Sequence, residues 1–219
     1  WVVGKEEDET SWLKLLRKLS KQEVCYRNGL RLFIHDGSGG LEKAFEQITF
    51  GPVERQRCIF HKMRNVVNAV QGDPEMFPGQ KRERRKALLA DLVTVWEAES
   101  REEAQTRCEQ FAAKWEEREP EAVGKLRNGF AATTAYYVVE AAARAQGQDW
   151  QRRYLRTTSL HERWNRTLRR KSRAAVVFQS ERGLLANAYL TLGCQGKATE
   201  GQLGEWLSPL RGAVRMASP

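Results

Sequence analysis

Leu30–Phe60 reads LRLFIHDGSGGLEKAFEQITFGPVERQRCIF, and its rhythm decides the fold class. Leu30–Ile34 is a short apolar run that ends in His35-Asp36-Gly37-Ser38-Gly39-Gly40. That pattern predicts a buried strand running into a glycine-rich turn. Leu41–Gln47 then carries Leu41, Ala44 and Phe45 at helical spacing, so a helix follows with those three facing inward. Arg57–Phe60 (RCIF) reads as a second strand, with a helix from His61 to about Val70. Strand, helix, strand, helix in this order predicts a mixed α/β sheet.

Upstream, Trp1–Val3 reads as the tail of a strand and is followed by an acidic turn. Thr10 or Ser11 is placed to cap a helix over Trp12–Ser20, with Trp12, Leu15, Leu16 and Leu19 on one face. Downstream the pattern changes at Gln71-Gly72-Asp73-Pro74. Residues 81–117 are charged and helical, with helices expected at Ala87–Glu99 and Glu102–Glu117. Leu88, Leu92, Val95 and Trp96 mark one apolar stripe, and Phe111 and Trp115 belong to the other. Pro120 breaks the run, and Phe130–Ala145 reads mainly as helix. The expected organisation is an all-helical block at 75–150 inserted between 1–74 and 151–219. Short apolar Ala174–Phe178 and a helix over Glu181–Leu192 close the chain.

The 219 residues carry 37 Lys and Arg against 28 Asp and Glu, a net charge of +9. Such a surplus points to a polyanion, of which nucleic acid is the commonest. Most of it is local. Gln151–Arg173 holds eight arginines and Lys171 against the single acid Glu162. A solvated helix usually mixes its charges, so this stretch suggests arginines for phosphates beside an acid with another task, such as holding a metal ion. The four cysteines, Cys25, Cys58, Cys108 and Cys194, form no CxxC pair or disulfide framework, which suits a reducing compartment. No apolar run reaches the ~18 residues of a spanning helix. The start, WVVGKEEDE, has no initiator Met and does not resemble a signal peptide. The expectation is that the chain begins inside a larger protein.

Three constellations could carry chemistry. Asp36 lies just past a buried strand, where ligands bind in α/β sheets; Asp36-Gly37 also makes an ordinary turn. Cys58 and His61 stand three apart. A structural zinc would need two further ligands, and the remaining His and Cys are scattered. A thiol nucleophile pair, or a buried Cys followed by a His at a helix start, fits the same spacing. Glu162 follows Thr157-Thr158-Ser159, whose hydroxyls suit a helix start or a phosphate. It also suits a helix-start acid paired with Arg166. Arg163, Arg166, Arg169 and Arg170 cover much of that helix, with Trp164 and Leu168 on its more buried side.

Three blocks in order, HDGSGGLEKAF, QRCIFHKMRNVV and LRTTSLHERWNRTLRRKSRAAVVF, resemble the Mutator-type transposases, in particular their bacterial insertion-sequence branch. The resemblance runs from about residue 1 to 192. It implies a ribonuclease-H-like α/β core, here lacking its first strands, interrupted by an all-helical insertion. It also implies a DDE mechanism, in which three carboxylates hold two Mg2+ (or Mn2+) ions that promote in-line phosphoryl transfer. Asp36 matches the second acid and Glu162 the third. Cys58 and His61 match the family's C-x-x-H signature, with His61 expected near the scissile phosphate. Arg57, Lys62, Arg64 and Asn65 match the flanking positions. Thr157, Thr158, Arg163 and Asn165 match the last block, where Ser159 replaces the usual Asn. With Arg166, Arg169 and Arg170 these make the expected DNA-binding set.

The first acid of that family lies upstream of the segment that WVVGKEEDETSWLKLL resembles, and Asp8 sits in an acidic turn rather than on a strand. The 219 residues alone are therefore expected to cleave little or no DNA. What the resemblance implies is strand cleavage and strand transfer during transposition of an insertion sequence. The partners would be double-stranded DNA, as transposon ends and target, and a second copy at synapsis. The setting would be the bacterial cytoplasm, at the nucleoid, with no membrane. Two alternatives share these residues: a catalytically inactive, transposase-derived DNA-binding protein or fragment, and a ribonuclease-H-like nuclease of another kind.

Overall fold

The computed structural model describes residues 8–148, 152–174, 180, 183 and 184. The expectations for Trp1–Val3, for most of Ala174–Phe178 and Glu181–Leu192, and for Cys194 lie outside them. The chain divides into two compact units, one running to Thr158 and a second that begins at Ser159.

The first unit is mixed α/β and mostly helical. It opens with α1 (Glu9–Lys21), followed by β1 (Leu32–His35), α2 (Gly39–Glu46), β2 (Glu54–Arg57) and α3 (Ile59–Asn68). Next come α4 (Pro78–Val95), α5 (Arg101–Trp115), α6 (Pro120–Arg127), α7 (Tyr136–Ala145) and the single turn α8 (Arg152–Leu155). The two strands pair in parallel, with Leu32 opposite Glu54 and His35 opposite Arg57. Among the described residues they are the whole sheet.

Two expectations about local structure are corrected. The second strand is Glu54–Arg57, not Arg57–Phe60. Its sequence, ERQR, has no apolar residue, so a hydrophobicity pattern points instead to the neighbouring Cys-Ile-Phe. Pairing with β1 decides the matter, and Cys58 becomes the residue at the start of α3. Helix α1 starts three residues before Trp12, because the Asp8 carboxylate accepts the Ser11 N–H at 2.9 Å. The Ser11 hydroxyl, and after it the Ser11 N–H, hold the Asp8 carboxyl below its ordinary range. The helical run does break before Pro120, as expected: α5 ends at Trp115, and Pro120 begins α6 at its first position, where its missing N–H is no loss.

Successive residues of a strand face opposite ways, and β1 uses both faces. Phe33 joins the small cluster of Leu16, Leu41, Ala44, Phe45 and Phe50 under α1 and α2, its ring edge-on to Phe50 at 5.0 Å. Leu32 packs on the other side, against the large cluster that runs from Ile59 and Val66 through Leu88, Leu92, Trp96 and Phe111 to Leu126 and Tyr136. A two-stranded sheet is marginal by itself, so these two apolar clusters hold it in place. The helices of 78–145 carry most of the larger one.

One side chain joins β2 to the helical block. Gln56 is fully buried. Its Nε2 donates to Thr133 O at 2.9 Å and to Arg57 O at 2.7 Å, and its Oε1 accepts the Tyr136 N–H at 2.9 Å. Close by, Trp96 Nε1 donates to Thr133 Oγ1 at 3.0 Å. Gln56→Leu should therefore leave the Tyr136 N–H and the Thr133 carbonyl buried and unsatisfied. We expect a loss of roughly 2–6 kcal/mol, at 1–3 kcal/mol per orphaned group, read as a lower urea midpoint at unchanged slope. A variant as stable as the parent would remove Gln56 from this role.

Candidate functional site

The end of the sheet places the first candidate. The backbone leaves β1 at His35, and Asp36 follows as an exposed residue. Its Oδ1 accepts the Ser38 N–H at 3.1 Å, while Oδ2 accepts no hydrogen bond among the described residues. Gly37 takes a φ of +86°, which a Cβ would strain. A Cβ there would also fall 2.8 Å from Cζ and Nη2 of Arg57, whose guanidinium lies over the glycine. His35, behind Asp36, is buried. Burial pushes its imidazole below the ordinary value; Glu42 and Asp36 pull it up, and Arg57 and Arg55 oppose them.

Cys58 is a junction. Its N–H donates to His35 O at 2.7 Å, one rung beyond the strand pair. Its sulfur accepts the Thr158 N–H at 3.4 Å and lies 3.6 Å from Thr157 Oγ1. Next to it, the Ile59 N–H at the start of α3 donates to Arg156 O at 2.9 Å. Residues 156–158 are thus sewn to the end of the sheet. Burial pushes the Cys58 thiol up, but Thr158, the His61 amide and Thr157 outweigh it and bring the pKa to about 7. Buried Cys108 has no comparable donors, and burial raises it to about 11.

The remaining expected residues of this unit differ in burial and in partners. His61 is half-buried in the first turn of α3, edge-on to Phe60. Arg64 and Asn65 are exposed on the same helix. Lys62 is only 3% exposed and donates to Asn128 O. Burial, helped by Arg57, lowers its pKa to about 8. Thr157 and Thr158 are half-buried and engaged with Cys58.

The second unit is described through α9 (Ser159–Ala174). Glu162 stands in its first turn, where a carboxylate opposes the helix dipole favourably. Arg163, Asn165, Arg166, Arg169, Arg170 and Arg173 are exposed, whereas Trp164, Thr167 and Leu168 are half-buried. Of the three arginines of the basic stretch that precede α9, Arg152 and Arg156 are structural ties. Arg152 Nε bonds both oxygens of the buried Glu140, at 2.9 and 3.1 Å. Arg156 Nη1 donates to Trp96 O at 2.7 Å.

Sequence reasoning missed Gln56, Asn128 and Gly129. Asn128-Gly129 is a recognisable turn pair, but no local signal says that it packs against Arg57 and Lys62.

Comparison with known proteins now bears on these residues. Residues 1–193 match the family described as "Transposase, Mutator family". The chain belongs to the Mutator family of transposases. It is 28% identical over 184 residues to the transposase for insertion sequence element IS905 of Lactococcus lactis subsp. lactis (strain IL1403), covering 84% of this chain and 41% of that protein. It is 28% identical over 169 residues to the IST2 transposase of Acidithiobacillus ferrooxidans, covering 77% and 50%. With the IS6120 transposase of Mycolicibacterium smegmatis it shares 29% over 189 residues, covering 85% and 51%. The chain thus spans about half the length of these Mutator relatives. No helix among its described residues is long and apolar enough to cross a membrane.

The thiol yields a prediction. The native Cys58 releases its proton near pH 7, against an ordinary value of 9.0. A group with a depressed native pKa stabilises the fold above its unfolded pKa and loses that contribution as pH falls through the native one. The difference in melting temperature between the parent and Cys58→Ser should therefore widen from about pH 7 to about pH 9. A thiolate absorbance step near pH 7 should vanish in the variant. A step that survives the substitution would refute the assignment.

Proposed function

We propose that this chain is the catalytic region of a DDE-type DNA transposase that cleaves and joins DNA strands when an insertion sequence moves. The observation that carries the reading is Asp36: an exposed carboxylate at the carboxyl end of a parallel strand, where α/β sheets bind their ligands, in a Mutator-family chain. In this reading β1 and β2 belong to a ribonuclease-H-like core over 1–74 and 151–219, and 75–150 is its helical insertion.

Asp36 is the second acid and Glu162 the third. The Asp36 donor set fits a hard divalent cation: one oxygen is held by Ser38 and the other accepts no hydrogen bond among the described residues. Two Mg2+ or Mn2+ ions, when bound, would supply activation of a water or a 3′-hydroxyl and charge stabilisation at the phosphorus. The protein's own share is placement. Asp36 is fixed by the turn at Gly37, and His61 borders the scissile phosphate from the first turn of α3. Arg163, Arg166, Arg169 and Arg170 grip the DNA backbone, with Asn165, Arg64 and Asn65 as further polar contacts. Asp8 is spent on the cap of α1 and is not assigned as the first acid. The partners are transposon ends, target DNA and a second copy of the transposase, and the setting is the bacterial nucleoid.

The test uses the full-length transposase. Asp36→Asn and Glu162→Gln should each lower cleavage of transposon ends by at least about 100-fold, several kcal/mol of transition-state stabilisation, while DNA binding persists. Normal cleavage by Glu162→Gln would sink the assignment. No cleavage by the parent with either metal, with binding indifferent to both substitutions, would favour a DNA-binding derivative instead. For the arginines, Arg166→Ala with Arg170→Ala should reduce the slope of log K against log salt by about 1.8, at ~0.9 per lost phosphate contact. An unchanged slope would place both residues off the DNA.

A further inference from the structure

Arg57 is charged, half-buried and unclaimed. Its guanidinium donates no hydrogen bond and forms no ion pair among the described residues, although eight other arginines of this unit do one or the other. It is nevertheless held in place. One edge lies over Gly37, where a Cβ would fall 2.8 Å from Cζ and Nη2. The other reaches Gly129 at the end of the turn after α6, where a Cβ would sit 3.3 Å from Nη1. Both glycines have positive φ, +86° and +69°. Two chain segments 92 positions apart in the sequence thus both present a residue without a side chain to one guanidinium.

A second cation stands behind it. Lys62 is buried, bonds the carbonyl of Asn128 next to Gly129, and feels the positive charges of Arg57 and Lys125. No carboxylate enters its surroundings; only the Cys108 thiol offsets the cations. Like charges gathered at low exposure with no acid bonded to them work against the fold. An arrangement of this kind is relieved by an anion supplied from outside. A guanidinium with its fork unspent suits a phosphate, which accepts two parallel N–H bonds.

We propose that Arg57, laid over Gly37 and Gly129 and backed by Lys62, forms a subsite for one backbone phosphodiester of DNA beside Asp36. The choice of DNA as the source rests on the proposed function; the anion site itself rests on Arg57 and its surroundings. The subsite draws Asn128 and Gly129 from the helical block, so that block contributes to recognition at the sheet end. Arg57 binds and positions one phosphate, and Asp36 remains the group for the reaction.

Titration with diethyl phosphate, a simple phosphodiester, tests the site by amide chemical shifts. In the parent, the Gly37 and Gly129 amides and the Arg57 Nε–H should shift together and saturate. Arg57→Gln should weaken that binding by about 10- to 100-fold, the loss of a charge-assisted bidentate contact. Arg57→Lys should recover part of it, as a point charge without the fork. Because the Arg57 guanidinium makes no bond among the described residues, Arg57→Gln should melt no lower than the parent. A merely structural arginine would instead lower the melting temperature and leave the titration unaltered, and that result would overturn the proposal. In the full-length transposase, Arg57→Gln should raise the apparent Kd for transposon-end DNA by a similar factor. If Arg57→Gln leaves both titration and DNA affinity unchanged while Asp36→Asn abolishes cleavage, the subsite falls and the proposed function stands. If diethyl phosphate binds as expected but Asp36→Asn and Glu162→Gln cleave normally, the anion site stands and the DDE reading falls.

Discussion

The amide of Gln56 is the contact on which the arrangement of this unit turns. It is the polar residue in the middle of a strand that has no apolar side chain, and it is fully buried. Its three bonds, to Thr133, Tyr136 and Arg57, fasten β2 to the start of α7 and the turn before it. A buried amide is tolerable only when its donors and acceptor are satisfied. That requirement specifies one placement of the helical block against the sheet and no neighbouring one. The placement has consequences just after Gln56 in the chain: Asn128 and Gly129 come to Lys62 and Arg57, and Cys58 is set to begin α3.

The basic stretch that dominates the sequence divides into two populations. Arg152 and Arg156 are spent inside the first unit, on Glu140, Ala98 O and Trp96 O. Arg163, Arg166, Arg169, Arg170 and Arg173 are exposed on α9. The distinction matters energetically. Removing Arg152 would leave the buried Glu140 carboxylate with the more exposed Arg144 as its remaining cation and would destabilise the unit. An exposed arginine contributes little to stability; the proposed function gives these the field offered to a phosphate chain. A count of arginines cannot separate the two groups, because the partners of Arg152 and Arg156 lie as far back as Trp96.

The legible parts of the fold were those set by local pattern. β1, α2 and the apolar stripes of α4 and α5 follow from spacing alone. Asp36 was legible as a strand-end acid because the glycines around it allow little else. β2 was not legible: its burial comes from one glutamine and its pairing from β1, and neither leaves a hydrophobic trace. The cap of α1 was misplaced because Asp8, Thr10 and Ser11 are all competent caps, and only the bond to the Ser11 N–H chooses among them. Cys58 carried no sign that its sulfur would be met by a backbone N–H from residue 158. Arg57 and Lys62 were expected alike, as flanking positions of the C-x-x-H signature and members of one DNA-binding set. Their difference, one bound to a carbonyl and buried, the other held over glycines and unbonded, arises from contacts far apart in the chain.

The contacts that stabilise the first unit and the groups proposed to act on DNA lie in different places. The large apolar cluster lies among α3 to α7. The groups assigned to DNA at the sheet end, Asp36 and Arg57, make few bonds that the fold needs. Asp36 accepts a single local N–H, and Arg57 donates none among the described residues. Loss of either side chain should therefore leave the fold largely intact. Loss of Gln56 or Arg152, which touch no proposed substrate, should weaken it. Such a division lets a two-stranded sheet, marginal by itself, carry charged groups at its end. The helical block then acts as the support that makes an exposed, charge-bearing strand end affordable, and through Gly129 it also reaches the place where that charge is offered.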